Sequence, residues 1–192
     1  MYKQRIIKEA SEAAKLRDPN IILIADEKNL YNWTAFLLGP EDSPFSEGIF
    51  EVKINLTDNY PIQPPKMFFK TRIFHPNIHW ETGEICLDIV KNEWTPSWTL
   101  EALCRAVLYL MSNCNANSPL NCDAGNLVRN GCDEAYQNMA RMFTHEKAMD
   151  KQEFLQFQKQ YEQQQQLKQQ KQINLQKSKL DEKEEQKQKK EQ

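Results

Sequence analysis

The 192-residue chain is 40% hydrophobic, carries a formal net charge of -2 and contains five cysteines. This suits one globular domain with some additional chain and leaves too few residues for a second full domain. The charge balance excludes a nucleic-acid partner, because no segment of the folded part carries a basic stripe able to neutralise several phosphates.

Met1 to Lys15 interleaves Lys, Arg and Glu with isolated Ile and Ala, unlike a signal peptide, and no stretch approaches the roughly 18 apolar residues of a membrane span. A cytoplasmic protein with no direct membrane insertion is expected, any membrane association coming from a partner. Within Tyr2 to Arg17, Ile6, Ala10, Ala13 and Ala14 recur near helical spacing among Lys3, Arg5, Lys8, Glu12 and Lys15. Asp18-Pro19 ends that helix, since a residue before proline avoids the helical region. Residues Ile21 to Ala25, Trp33 to Leu38 and Ile49 to Leu56 read as strands, and the short loops between them favour an antiparallel meander. Tyr60-Pro61-Ile62-Gln63-Pro64-Pro65 lacks the N–H donors of a central strand, and Lys66 to Lys70 resumes as an edge strand.

Residues His75 to Pro96 have little periodicity but concentrate His, Cys, Asn, Gly and Trp, so chemistry is expected there. Thr99 then caps a helix with Leu100, Leu103, Cys104, Val107, Leu110 and Met111 on one face. Ser118-Pro119 and Gly131 punctuate two later helices ending near Met149. These elements define a domain over 1–149. From 150 to 192 the composition turns to Gln, Lys and Glu, as in Gln163-Gln164-Gln165-Gln166, and reads as a disordered or solvated helical tail without a core of its own.

The strongest chemical signal pairs His75-Pro76-Asn77 with Cys86 in Gly83-Glu84-Ile85-Cys86-Leu87-Asp88. A loop thiol is a competent nucleophile without a strongly depressed pKa, because sulfur is polarizable and a few per cent thiolate exists near neutrality. Asn77 offers an uncharged amide that either ties loop backbone in place or donates to a developing oxyanion, and Pro76 restricts the loop that carries it. The cysteines at 86, 104, 114, 122 and 132 form an odd set without a CxxC pair, so neither a disulfide framework nor a metal site is expected.

Together His75-Pro76-Asn77, Cys86-Leu87-Asp88, Tyr60-Pro61 with Pro64-Pro65, and Trp94-Thr95-Pro96 resemble the signature of the ubiquitin-conjugating enzyme family, over nearly all of residues 1–149. The resemblance implies an α+β fold: an open four-stranded antiparallel meander sheet with one N-terminal helix and three C-terminal helices. It implies that Cys86 carries ubiquitin as a thioester and that Asn77 supports transfer. The implied partners are ubiquitin, an activating enzyme and a RING-type ligase. ATP is used by the activating enzyme, so no cofactor is expected in this chain. The runs from Gly83 to Leu100 and from Asn117 to Leu127 are similar to the peroxisomal branch of the family. Its members work with a membrane anchor protein and RING-type ligases to monoubiquitinate the cycling import receptor on a cysteine. Two departures stand out. The loop between Asn77 and Cys86 is one residue longer than the commonest spacing, and Ser118 stands where many lysine-directed members have an acidic residue.

Each residue also has a plainer reading. Cys86 could be a buried small hydrophobe, the usual fate of an unpaired cysteine, but its loop setting argues otherwise. Cys104 belongs to a helix core, and Cys114, Cys122 and Cys132 read as incidental thiols. His75 could serve Cys86 as a hydrolase base, yet a histidine before proline is better suited to pinning the loop through its ring nitrogens. Trp94 is read as a buttress of the active-site loop. By resemblance, Arg5 and Lys8 on the first helix, Ile62, and Pro96 with Ser97 meet the activating enzyme and ligases. Their plain readings are a solvated helix face and ordinary exposed apolar surface. Asp88, Asn121 and Asp123 are assigned to shaping the cleft. Lysine-directed cytosolic conjugation and a non-catalytic ubiquitin-binding scaffold are the alternative functions.

Overall fold

The structure is a computed structural model and describes residues 2–86 and 94–188. Helix α1 spans Tyr2–Ala13 and turns Ile6, Glu9, Ala10 and Ala13 inward. It stops short of Arg17 because the next N–H groups reach back only three residues, Lys15 to the Glu12 carbonyl and Leu16 to that of Ala13. Such tightening is the usual way a helix end satisfies its last carbonyls.

Four strands follow: β1 (Ile21–Ala25), β2 (Asn32–Leu38), β3 (Ile49–Asn55) and β4 (Lys66–Phe69). They pair antiparallel in the order β1-β2-β3-β4. The alternation in β2 buries Trp33, Ala35 and Leu37, and the register sets these against Ile54, Val52 and Phe50 of β3. One sheet face thus becomes a continuous apolar layer, extended by Leu23, Met67 and Phe69. Between β3 and β4, Tyr60 is fully buried and its bond to Pro61 is cis.

Helix α2 (Leu100–Ser112) packs onto this layer. Thr99 caps it by accepting from the Ala102 N–H at 3.1 Å, and its six buried residues are the expected Leu100, Leu103, Cys104, Val107, Leu110 and Met111. Burying that stripe is worth roughly 10 kcal/mol before ordering entropy is subtracted. Helices α3 (Cys122–Arg129) and α4 (Asp133–Lys147) follow, separated at Gly131, whose φ of 70° places it in the left-handed region.

Helix α5 runs over Lys151–Gln188. The chain divides into two compact units, Met1–Lys151 and Gln152–Gln192. In the second, Phe157 stacks on Tyr161, while Leu155, Leu167 and Ile173 are exposed. Among the described residues no helix is long and apolar enough to cross a membrane.

Candidate active site

Residues 75–86 leave the sheet and fold back on themselves. His75 is wholly buried; its Nε2 lies 3.0 Å from the Leu110 carbonyl at the end of α2, and its Nδ1 accepts the Asn77 N–H at 3.0 Å. An acceptor at Nδ1 fixes the neutral tautomer with its proton on Nε2. Burial lowers the imidazole from its ordinary 6.5 to about 4, outweighing the opposite pull of the Leu110 carbonyl. Both ring nitrogens are therefore occupied and the ring is neutral, so His75 pins the loop and has no nitrogen left to serve a thiol as base.

Asn77 is 3% exposed and exchanges two hydrogen bonds with one residue: its Oδ1 accepts the Asn115 N–H and its Nδ2 donates to the Asn115 carbonyl, both at 2.7 Å. The amide thus ties loop backbone in place, and one of its two N–H bonds is committed to that task. The Pro76 carbonyl accepts from the Leu120 and Asn121 N–H groups at 2.8 and 3.0 Å, which stitches the segment after Ser118-Pro119 to the same loop.

The Asn77 carbonyl accepts the Cys86 N–H at 2.8 Å, and Cys86 is half-buried. Between these residues lies a short hairpin: Ile78 and Ile85 form a β-bridge, the His79 N–H reaches the Glu84 carbonyl at 2.8 Å, and Gly83 turns with φ 71°. Gly83 is required there, because a Cβ would come within 2.0 Å of the Phe69 carbonyl oxygen. Trp80 on the hairpin packs edge-on against Phe143 of α4 with ring centroids 4.9 Å apart, and Arg72 lies over its ring.

The structure thus gathers His75, Pro76, Asn77 and Cys86, and adds Asn115, which sequence reasoning missed. Its only signal was its place in the Asn-rich turn Asn113-Cys114-Asn115-Ala116-Asn117. Ser118 is exposed. Asn121 is buried and caps α3 by accepting the Ala124 N–H at 3.2 Å, and Asp123 is exposed in the first turn of α3, where the helix dipole favours a carboxylate. Asp88 lies outside the described residues. Cys104 is sealed in the core, and burial pushes its thiol up to about 12, so it is inert.

The residues expected to meet partners divide differently. Lys8 extends into solvent with a long 3.7 Å contact to Glu12. Ile62 is 57% exposed, Pro96 and Ser97 are exposed, and Ile7, which the sequence reading passed over, is 55% exposed. Arg5 instead reaches inward. Its Nε donates to Glu9 at 2.6 Å, and its two terminal nitrogens donate to the Pro96 and Trp98 carbonyls at 3.0 and 2.6 Å. Glu9, also missed, is 4% exposed; it further accepts the Tyr60 hydroxyl at 2.6 Å and the Leu100 N–H at 2.8 Å. Burial and the Glu9 carboxylate together raise the Tyr60 phenol well above its usual range. Trp94 donates its indole N–H to the Pro61 carbonyl at 2.8 Å, so the residue read as an active-site buttress braces the proline loop.

A half-buried cysteine on a pinned loop, whose histidine has both ring nitrogens engaged by Leu110 and Asn77, suits acyl transfer between nucleophiles better than hydrolysis. The chain belongs to the ubiquitin-conjugating enzyme family, whose sequence model matches residues 5–144. It is 47% identical over 151 residues to the protein PEROXIN-4 of Arabidopsis thaliana, covering 78% of this chain and 96% of that one. It is 48% identical over 141 residues to the ubiquitin-conjugating enzyme E2 pex4 of Dictyostelium discoideum, covering 73% and 95%. The crystal structure of H. polymorpha ubiquitin conjugating enzyme Pex4p in complex with the soluble domain of Pex22p superimposes with a TM-score of 0.73 at 30% identity, covering 77% of this chain and 98% of that one. The α+β fold with its antiparallel meander is that of the family, and the activity is that of a ubiquitin-conjugating enzyme similar to peroxin-4.

Proposed function

We propose that Cys86 is the thioester-forming residue and that the peroxisomal import receptor is the eventual acceptor. The Cys86 thiolate attacks the carbonyl carbon of the thioester that links ubiquitin to the activating enzyme; the new C–S bond forms and the activating enzyme's thiolate leaves. An acceptor thiol or amine held by a RING-type ligase then attacks the same carbon, gives up its proton, and releases Cys86 as thiolate. ATP is consumed upstream, so this chain needs no cofactor. The observation that carries the reading is the backbone bond from Cys86 to Asn77, which sets a half-buried cysteine on a loop braced by His75 and Asn115. Most of the acceleration comes from positioning of the two nucleophiles. Asn121 holds the start of α3 under Pro76, and Asp88, Ser118 and Asp123 are proposed to line the path of the acceptor. Ile62, Pro96 and Ser97 are proposed as the ligase contact and Lys8 as a contact of the activating enzyme.

Similarity to the two peroxin-4 relatives, and to a Pex4p solved with the soluble domain of Pex22p, supports recruitment to the cytosolic face of the peroxisomal membrane by an anchor of that kind. Ser118 supports a thiol acceptor: a thiol of pKa about 8.5 needs less help from a carboxylate than a lysine near 10.4.

Incubation with activating enzyme, ATP and ubiquitin tests the first step. A reductant-sensitive adduct is expected, turned by Cys86→Ser into a reductant-resistant ester and abolished by Cys86→Ala. Normal charging of Cys86→Ala would overturn the assignment. Charged protein should discharge faster onto free cysteine than onto free lysine, and cells without the protein should leave peroxisomal matrix proteins in the cytosol; intact import would remove the peroxisomal role.

A further inference from the structure

Among the described residues, three side-chain anchors tie the turn from Trp94 to Trp98 to other elements, and Arg5 supplies two of them. Its guanidinium is a planar fork: one edge faces Glu9 through Nε, and the terminal nitrogens take the carbonyls of Pro96 and Trp98, two residues apart in the turn. The third anchor is the indole N–H of Trp94 on Pro61. Glu9 aims the fork. It is buried and fixed from two other directions, by the Tyr60 hydroxyl and by the first N–H of α2, so the guanidinium has little freedom to swing. Burial opposes the Arg5 charge, but the Glu9 hydrogen bond and its negative charge hold the group above its ordinary pKa. Ile62, next to one anchor point, and Pro96 and Ser97, on the turn itself, are exposed.

We infer that Arg5 is a positioning residue of the partner-facing surface: it sets the shape of the Thr95–Trp98 turn and so presents Pro96 and Ser97 to the ligase, without meeting the ligase itself. The inference deepens the proposal that these residues contact a ligase and rests on it for its functional half. The alternative for a basic residue on α1 is direct attraction to an acidic partner. Geometry weighs against it, because three of the five N–H bonds of the fork are already spent inside the chain. Lysine keeps the charge but replaces the fork by a single nitrogen that cannot span Glu9 and two carbonyls at once. The two readings therefore predict different behaviour for Arg5→Lys, which keeps an i,i+4 charge pair with Glu9 and should remain folded.

The test measures amide hydrogen exchange at Ser97 and Trp98 together with ligase-stimulated discharge. Arg5→Lys should speed exchange of the Trp98 N–H, which is bonded to the Thr95 carbonyl, roughly tenfold, and lower the ratio of ligase-stimulated to unassisted discharge roughly fivefold. Combined with Pro96→Ala it should cost no more than Pro96→Ala alone, because both act through one turn. Tyr60→Phe, which weakens the network but leaves the fork, should leave Trp98 exchange near the wild-type rate. Unchanged exchange in Arg5→Lys would overturn the inference, as would a loss that adds to that of Pro96→Ala. If Pro96→Ala leaves ligase stimulation intact, it is the ligase-contact reading that falls, while the exchange rates still decide whether Arg5 holds the turn.

Discussion

The two loops proposed to carry the reacting thiol and the ligase contact are held in opposite ways. The segment from His75 to Cys86 is fixed by neutral groups and backbone: an uncharged imidazole bridging Leu110 and Asn77, an amide exchanging two bonds with Asn115, and a carbonyl taking two N–H groups. The turn from Trp94 to Trp98 is held by long side chains that bridge it to other elements, a guanidinium reaching in from α1 and the turn's own Trp94 indole N–H reaching out to the proline loop. At the loop proposed to carry the reacting thiol, a buried and uncharged frame gives a fixed geometry that does not respond to salt. At the turn proposed to meet the ligase, single long side chains hold the surface.

The largest expected effect is on the rigid loop. Gly83→Ala would set a methyl group 2.0 Å from the Phe69 carbonyl oxygen in a left-handed backbone, and the neighbouring atoms are main chain that cannot step aside. A loss of about 3 kcal/mol in urea unfolding is expected. A loss below about 1 kcal/mol would mean that the hairpin swings freely from β4, and the contrast between the loops would go with it.

The same neutral frame should be acid-sensitive. His75 has a folded pKa near 4 against an ordinary 6.5, so below 6.5 the unfolded chain binds a proton that the folded one refuses. Stability contributed by this residue is therefore complete above 6.5 and lost as the pH falls toward 4, with about 2 kcal/mol gone between pH 7 and 5. Urea unfolding at the two pH values should show that drop, and His75→Asn, though less stable at pH 7, should show a flatter one. An equal drop in both proteins would place the proton elsewhere.

Much of this frame could be read in advance and some of it could not, for physical reasons. The helical stripe of α2 named its six buried residues and the strand-like runs located the sheet, because residue period is a local property of a chain. The pairing of Asn77 with Cys86 was visible in the motif, but the choice between bracing and donating depended on Asn115, which only the fold brings near. Glu9 shares the face of Ile6 and Ala13, yet in sequence it is one more charge on a charged helix. Its partners, Tyr60 and the Leu100 N–H, are supplied by long-range packing. Arg5 was legible as a cation and illegible as a fork turned inward.

The smallest effect is expected at the turn from Trp94 to Trp98, and it is the one that sharpens the comparison most. Trp94→Phe keeps an aromatic ring beside Tyr60, whose centroid lies 6.2 Å away, and removes the indole donor to Pro61 with a small part of the ring's packing. Pro61 is half-buried at the surface, so with water replacing the lost donor the change in global stability should be about 1 kcal/mol or less. The turn itself should loosen, with faster exchange at Trp98, because one of its three tethers is gone while the Arg5 fork remains. Thermal unfolding and site-resolved exchange together decide the matter. If the substitution costs as much as Gly83→Ala, the turn is part of the core and its side-chain tethering is incidental; a local change with little global cost is what a surface held by separate long side chains requires.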